Sequence, residues 1–146
     1  MLNLGGNSRQ SLSAIRVVLD GKLKGLSSAE CTAVSAELFN ALLALQSSGA
    51  LRRAVTDPAR DHAAKSALVS DLFAASLSKS TLDLLDQTVA LRWSRTTDIV
   101  DAIEQLAVEA EATAANADDS LNTVEEELFA FSKVLIANND LRQALN

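Results

Sequence analysis

The chain has 146 residues, a formal net charge of -6, 48% apolar and only 3% aromatic residues, and one each of cysteine, histidine, proline and tryptophan. A lone Cys31 excludes an internal disulfide, and one cysteine with one histidine cannot supply the about four ligands of a zinc site. No run approaches the ~18 apolar residues of a membrane helix, so direct membrane insertion is not expected.

Leu, Val, Ile and Ala must build the core, and proline, the strongest helix breaker, is nearly absent; both favour helices. From Ser8, the residues Leu12, Ile15, Leu19, Leu23 and Leu26 recur at helical spacing and predict a first amphipathic helix ending near Gly25. Ser27 with Glu30 reads as a capping box, followed by the stripe Cys31, Val34, Leu38, Leu42, Leu45 and a stop at Ser47-Ser48-Gly49. A short third turn is expected over 50–55. Asp57-Pro58 then predicts a fourth helix from Pro58 to about Phe73, burying Ala64, Leu68 and Leu72, because Asp caps free N–H groups and Pro suits the first helical position.

Ser80 with Asp83 predicts a fifth helix with the stripe Leu82, Leu85, Val89, reaching about Trp93, and Thr96 or Thr97 caps a sixth. The seam of the sixth, Ile99, Ile103, Leu106, Ala110, Thr113 and Ala117, alternates steps of four and three, the spacing of packed helix pairs. Beyond it the seam changes register to Leu121, Val124, Leu128, Phe131 and Leu135, with a second capping box at Thr123 and Glu126 and a turn expected between the two. No alternating apolar and polar stretch reads as a strand. The expectation is an all-α bundle of about six helices, with one further C-terminal helix.

A search for chemistry finds little. Nucleophilic catalysis needs a base within reach of the nucleophile and a group that orients the base, but His62, the only histidine, is flanked by Arg60, Asp61 and Lys65 and reads as an exposed helix residue. Cys31 falls on an apolar stripe, where a thiol acts as a small hydrophobe. Asp98 with Asp101, or Glu104 with Glu111, lacks the accompanying Glu-x-x-His ligands of a di-metal bundle site, and Gly5-Gly6 belongs to no phosphate loop. The sequence therefore predicts a non-enzyme without metal or cofactor. Trp93, between Arg92 and Arg95, admits two readings: an interface anchor, or a plug at the base of the core with arginines favouring a helix C-terminus.

Charge is unevenly spread. Residues 1–95 carry eleven Lys or Arg against eight Asp or Glu, whereas 96–146 carry two against eleven. The acidic half would repel a phosphate backbone, so nucleic acid is not an expected partner. The start, Met1 to Gln10, has neither a basic n-region nor an apolar h-region, so no secretory leader is expected, and the single cysteine suits a reducing compartment.

The chain also repeats itself. Glu37, Leu38, Phe39, Leu45, Leu51, Arg52 and Ala54 recur in phase as Glu127, Leu128, Phe129, Leu135, Leu141, Arg142 and Ala144. The period, roughly 90 residues, exceeds the about 20 to 50 of solenoid repeats and fits a duplicated helical module. Residues 1–118 form the first copy, and 119–146 begin a second, truncated one. Leu128, Phe131 and Leu135 would then lack their module partners, an apolar stripe through which the chain could self-associate.

The segment from Leu51 to Phe73, with Leu51, Asp57, Pro58, Lys65, Leu68 and Leu72, resembles the delta subunit of the F-type ATP synthase, the counterpart of the mitochondrial oligomycin-sensitivity-conferring protein. Arg92, Asp98, Ile99, Val100 and Leu106 fall where that family has its next block, and the repeat resembles the longer actinobacterial type, with its two copies of a module. The resemblance implies a non-catalytic stator, or peripheral stalk, subunit at the cytoplasmic face of the cell membrane. Such a subunit joins the alpha/beta catalytic head to the b-subunit stalk and resists rotational torque, as a fragment of a longer protein. It also implies that the N-terminal helices of the alpha subunits are held by the first and fifth helices, which carry Ile15 and Leu19, and Leu82, Leu85 and Val89; Arg92 and Trp93 join them as partner-binding candidates. Two features depart from the family: the chain has no Tyr for the aromatic pattern usual in the first helix, and two copies compete for one alpha-binding role. The alternatives are a free-standing helical adaptor or signalling module and, less favoured, a helical enzyme with an unrecognised site.

Overall fold

A computed structural model describes residues 4–117. Those residues form six helices: α1 Gly6–Leu23, α2 Ser28–Ser47, α3 Gly49–Thr56, α4 His62–Phe73, α5 Lys79–Ala90 and α6 Asp98–Ala117. No strand occurs among them, and the fold is the expected all-α bundle. The second capping box and the stripe Leu121 to Leu135 lie outside the described residues.

The centre is the pairing of α2 with α6; α1 lies against α5 and α6, and α4 packs on α5. The seam between α2 and α6 is lined by small residues: Ser35, Ala41, Ala102, Ala107 and Ala110 are all at most 1% exposed. Small side chains let helix backbones approach. Here they come close enough for the Ser35 hydroxyl to donate to the Ala107 carbonyl at 2.8 Å. Leucine and isoleucine fill the space on either side, with Leu38, Leu45, Ile99, Ile103 and Leu106 fully buried.

Local signals set the helix ends. Gly25, at φ +82, takes the left-handed conformation that ends α1 and that other residues rarely adopt. The box at Ser27 is complete: its hydroxyl accepts from Glu30 N–H at 3.1 Å, and the Glu30 carboxylate accepts from Ser27 N–H at 3.1 Å. The last carbonyls of α2 are met from α3, where Arg52 donates to Leu45 and Gln46 at 2.7 and 2.8 Å, a cation at the negative end of a helix.

The fourth helix departs from the sequence reading. Asp57 and Pro58 do not open it; the Asp57 carboxylate accepts from Ala59 N–H at 2.9 Å and its carbonyl from Arg60 N–H at 3.2 Å, closing a turn with Pro58 at the position its fixed φ suits. Asp61 caps instead, accepting from Ala64 N–H at 3.1 Å. The buried stripe is therefore Lys65, Val69 and Phe73, one residue on from the expected Ala64, Leu68 and Leu72. One residue is about 100° around a helix, which leaves Leu72 49% exposed. The fifth helix likewise starts earlier, capped by Ser78 rather than Ser80, and stops at Ala90, short of Trp93. The Glu37 carboxylate of α2 also accepts from Ser78 N–H, placing an acid at that helix N-terminus. Ahead of α6, the Thr97 carbonyl accepts from Asp101 N–H at 3.2 Å.

Candidate partner-binding face

Two helices carry most of the expected binding residues, α1 and α5, and they lie side by side. Ionic and polar contacts hold them in register. Lys22 of α1 reaches Asp83 of α5 at 2.7 Å, and Gln87 donates to the same oxygen at 2.9 Å. These hydrogen bonds, Lys22 first and Gln87 second, hold the Asp83 carboxyl below the usual aspartate range. Arg16 of α1 pairs with Glu109 of α6 at 2.6 Å.

At the other end a polar knot joins the start of α1 to the loop before α6. The fully buried Asp98 carboxylate accepts from the Ser8 hydroxyl at 2.7 Å, from Arg95 Nε at 3.1 Å and from Gly5 N–H at 3.4 Å. Ser94 N–H donates to the Ser8 hydroxyl at 2.7 Å, and the Ser11 hydroxyl donates to the Arg92 carbonyl at 2.5 Å. Gly5 has no room for a side chain, since a Cβ there would stand 2.5 Å from the Ser94 Cβ.

Between the two ends, α1 and α5 leave a small groove lined by Ala14, Ile15, Val18, Gln87 and Leu91, with a volume of about 70 Å³. Ile15 forms its floor. Leu19, Leu85 and Val89 turn into the core, at most 1% exposed, as does most of Ile15. A partner can therefore reach the rim more readily than the residues that periodicity singles out; the reason is that the same stripe is what the bundle buries. Leu82 is half-buried and Arg92 exposed. Trp93 follows the core reading: it is 7% exposed, and its indole N–H donates to the Thr88 carbonyl at 2.9 Å. The rim residues Ala14, Val18 and Leu91 were missed, although their sequence signal, apolar positions flanking the main stripes, is present.

A second cavity, about 190 Å³, opens beside the C-terminal end of α5 and is lined by Asn7, Arg60, His62, Lys65, Leu91 and Arg92, among others. Lys65 is 5% exposed, and its ammonium donates to the Val89 carbonyl at 3.3 Å, in the last turn of α5. Burial pushes its pKa below the ordinary lysine value, with Asp57 opposing and Arg60 adding to the shift. His62 lies 3.4 Å from Asp86 with half of its side chain exposed.

Cys31 is fully buried, and burial first, then Glu30, raises its pKa, the setting of an inert thiol. Among the described residues no group of three or more His, Cys, Asp or Glu could hold a metal ion, and no helix is long and apolar enough to cross a membrane. The described residues thus form an all-α bundle with a small groove between two of its helices.

No protein-family model matches the chain. Individual proteins do. It is 39% identical over 145 residues to the ATP synthase subunit delta of Streptomyces coelicolor, covering 99% of this chain and 53% of that one. It is 37% identical over 147 residues to the subunit of the same name from a Parafrankia species, covering 96% and 53%. With that from an Arthrobacter species it shares 34% identity over 151 residues, covering 98% and 54%. The chain is homologous, over nearly all of its residues, to ATP synthase delta subunits, and it spans about half the length of the relatives it matches.

Proposed function

We propose that the chain acts as part of a non-catalytic stator subunit of a proton-translocating F-type ATP synthase, joining the alpha/beta catalytic head to the b-subunit stalk. The single observation that carries this reading is the 34 to 39% identity to delta subunits sustained over nearly the whole chain. Torque on the head would turn it with the central shaft unless a link anchored it, and a bundle whose central helix pair is closely packed suits that role. The module spans residues 1–118, residues 119–146 begin a second copy, and the protein works as a peripheral component at the cytoplasmic face of the membrane.

The partner-binding face in this reading is the groove between α1 and α5, which takes an amphipathic N-terminal helix of an alpha subunit; helix-in-groove recognition needs an apolar notch of this kind. Ile15, Leu19, Leu85 and Val89 set the spacing of the two helices from beneath, while Leu82, Arg92 and the rim offer contact. Calorimetric titration of the chain with the N-terminal peptide of the alpha subunit from the same organism tests it. Binding in the micromolar range or tighter, with chemical-shift changes at Ala14, Val18 and Leu91, is expected. No heat and no shift change at high micromolar peptide would overturn the assignment of this face.

A further inference from the structure

The apolar groove and the basic cavity share Leu91 in their linings. The two therefore adjoin at Leu91, just past the C-terminal end of α5. The groove is apolar apart from Gln87, whereas the cavity presents Arg60, Lys65 and Arg92 with no acid in its lining, in a chain whose net charge is -6. Asp86 pairs with His62 at the margin and Asp57 lies near Lys65, yet neither lines the cavity. Lys65 is the informative residue. An ammonium has three N–H donors, and that of Lys65, a residue only 5% exposed, makes one long hydrogen bond among the described residues, 3.3 Å to the Val89 carbonyl. A buried cation so poorly matched is expensive unless an anion approaches it.

From this juxtaposition we propose that the cavity is a carboxylate-binding site, occupied by an acidic side chain of the helix that lies in the groove. The partner's apolar face would cover Ala14, Val18 and Leu91, while an Asp or Glu beyond that face enters between Arg60, Lys65 and Arg92. The inference rests on the groove reading and adds a polarity to it, because the acidic end of the partner must lie toward the end of α5 and the start of α1, where Asn7 stands. A charged anchor at one end of an otherwise apolar contact fixes orientation more than it adds affinity.

The experiment is a double-mutant cycle between the chain and the alpha-subunit N-terminal peptide. The peptide is used as it stands and with each Asp and Glu in turn replaced by Asn or Gln; the chain is used as wild type, as Arg92→Gln and as Arg60→Gln, both at exposed positions that leave the core intact. One acidic position is expected at which neutralisation weakens binding about tenfold to wild type but less than twofold to Arg92→Gln. Raising salt from 50 to 500 mM should remove most of that difference. Binding that is tight but indifferent to every carboxylate and to both arginines overturns the carboxylate site and leaves the groove standing. Absence of binding by the unmodified peptide overturns both. Competition by millimolar inorganic phosphate at Lys65, with no peptide carboxylate mattering, would assign the cavity to free anions and also overturn it.

Discussion

The Ser8 hydroxyl donates to the buried carboxylate of Asp98 at 2.7 Å, across 90 residues of sequence. The bond connects the start of α1 to the start of α6 and is joined by two further donors, Arg95 Nε and Gly5 N–H, so the carboxylate is solvated by the protein in place of water. Asp98→Ala would strand the Ser8 hydroxyl and the Gly5 N–H and is expected to cost about 3 kcal/mol, in line with breaking a buried charged hydrogen-bond network. Asp98→Asn keeps the shape and one acceptor and should cost less than half as much. Urea unfolding of both variants, compared by midpoint at constant slope, checks the order.

Gly5 and Ser94 touch so closely that Gly5→Ala would drive its Cβ to within 2.5 Å of the Ser94 Cβ. Overpacking of this kind costs about 1 to 3 kcal/mol. Pairing it with Ser94→Gly removes the clashing atoms, so the double variant should be more stable than the sum of the two single changes, by about 1 kcal/mol in a thermal or urea cycle.

Adjacent residues of α6 should answer very differently to enlargement. Ala107 is fully buried with its carbonyl bonded to Ser35, so Ala107→Leu forces the α2–α6 seam apart and should cost 2 kcal/mol or more, about the upper range of overpacking. Val108 is 51% exposed, and Val108→Leu should shift stability by less than about 0.5 kcal/mol. Equal effects in the two would mean that the seam is looser than its geometry implies.

The helices were legible in the sequence wherever one signal spoke alone. The stripe Cys31, Val34, Leu38, Leu42, Leu45 and the box at Ser27 both describe α2 as it is found. Legibility failed where two signals competed: Asp57 and Asp61 are both able caps, and the choice between them rotates α4 by one residue. The polar knot was invisible because nothing in the neighbourhood of Ser8 announces a partner as remote as Asp98. The groove shows a more general limit. Periodicity finds first the residues that a helix buries, such as Leu19 and Val89, whereas the groove is lined also by their flanks, here Ala14 and Val18, apolar positions beside the main stripe.

Lys65 gives the fold a pH dependence of definite sign. Its pKa in the folded chain lies below the ordinary 10.5, so between the two values the unfolded chain holds the extra proton. Stability should therefore rise with pH through that alkaline window, because the unfolded state binds more protons there. Below the folded value the burden of a buried ammonium is fully present. Lys65→Met keeps the length of the side chain and removes the charge, so its stability should lack this rise. Urea midpoints measured at half-unit steps below pH 10.5 distinguish the two profiles, and a wild-type curve parallel to that of Lys65→Met would contradict the assigned shift.

Ala14→Glu separates partner binding from folding. Position 14 is exposed on α1 and lines the groove, and glutamate is nearly as good a helix former as alanine, so the unfolding midpoint should move little. The new carboxylate would nevertheless have to be desolvated beneath the apolar face of a bound helix, and it would compete for the same cations as the partner's own acid. A loss of tenfold or more in affinity for the alpha-subunit peptide is expected, roughly the desolvation of one charge at a contact. Leu43→Glu is the matched control: it introduces the same charge at a 60% exposed site on α2, outside the groove lining, and should leave affinity within twofold. If the two variants weaken binding alike, the effect is one of net charge, and the groove between α1 and α5 is not where the partner lies.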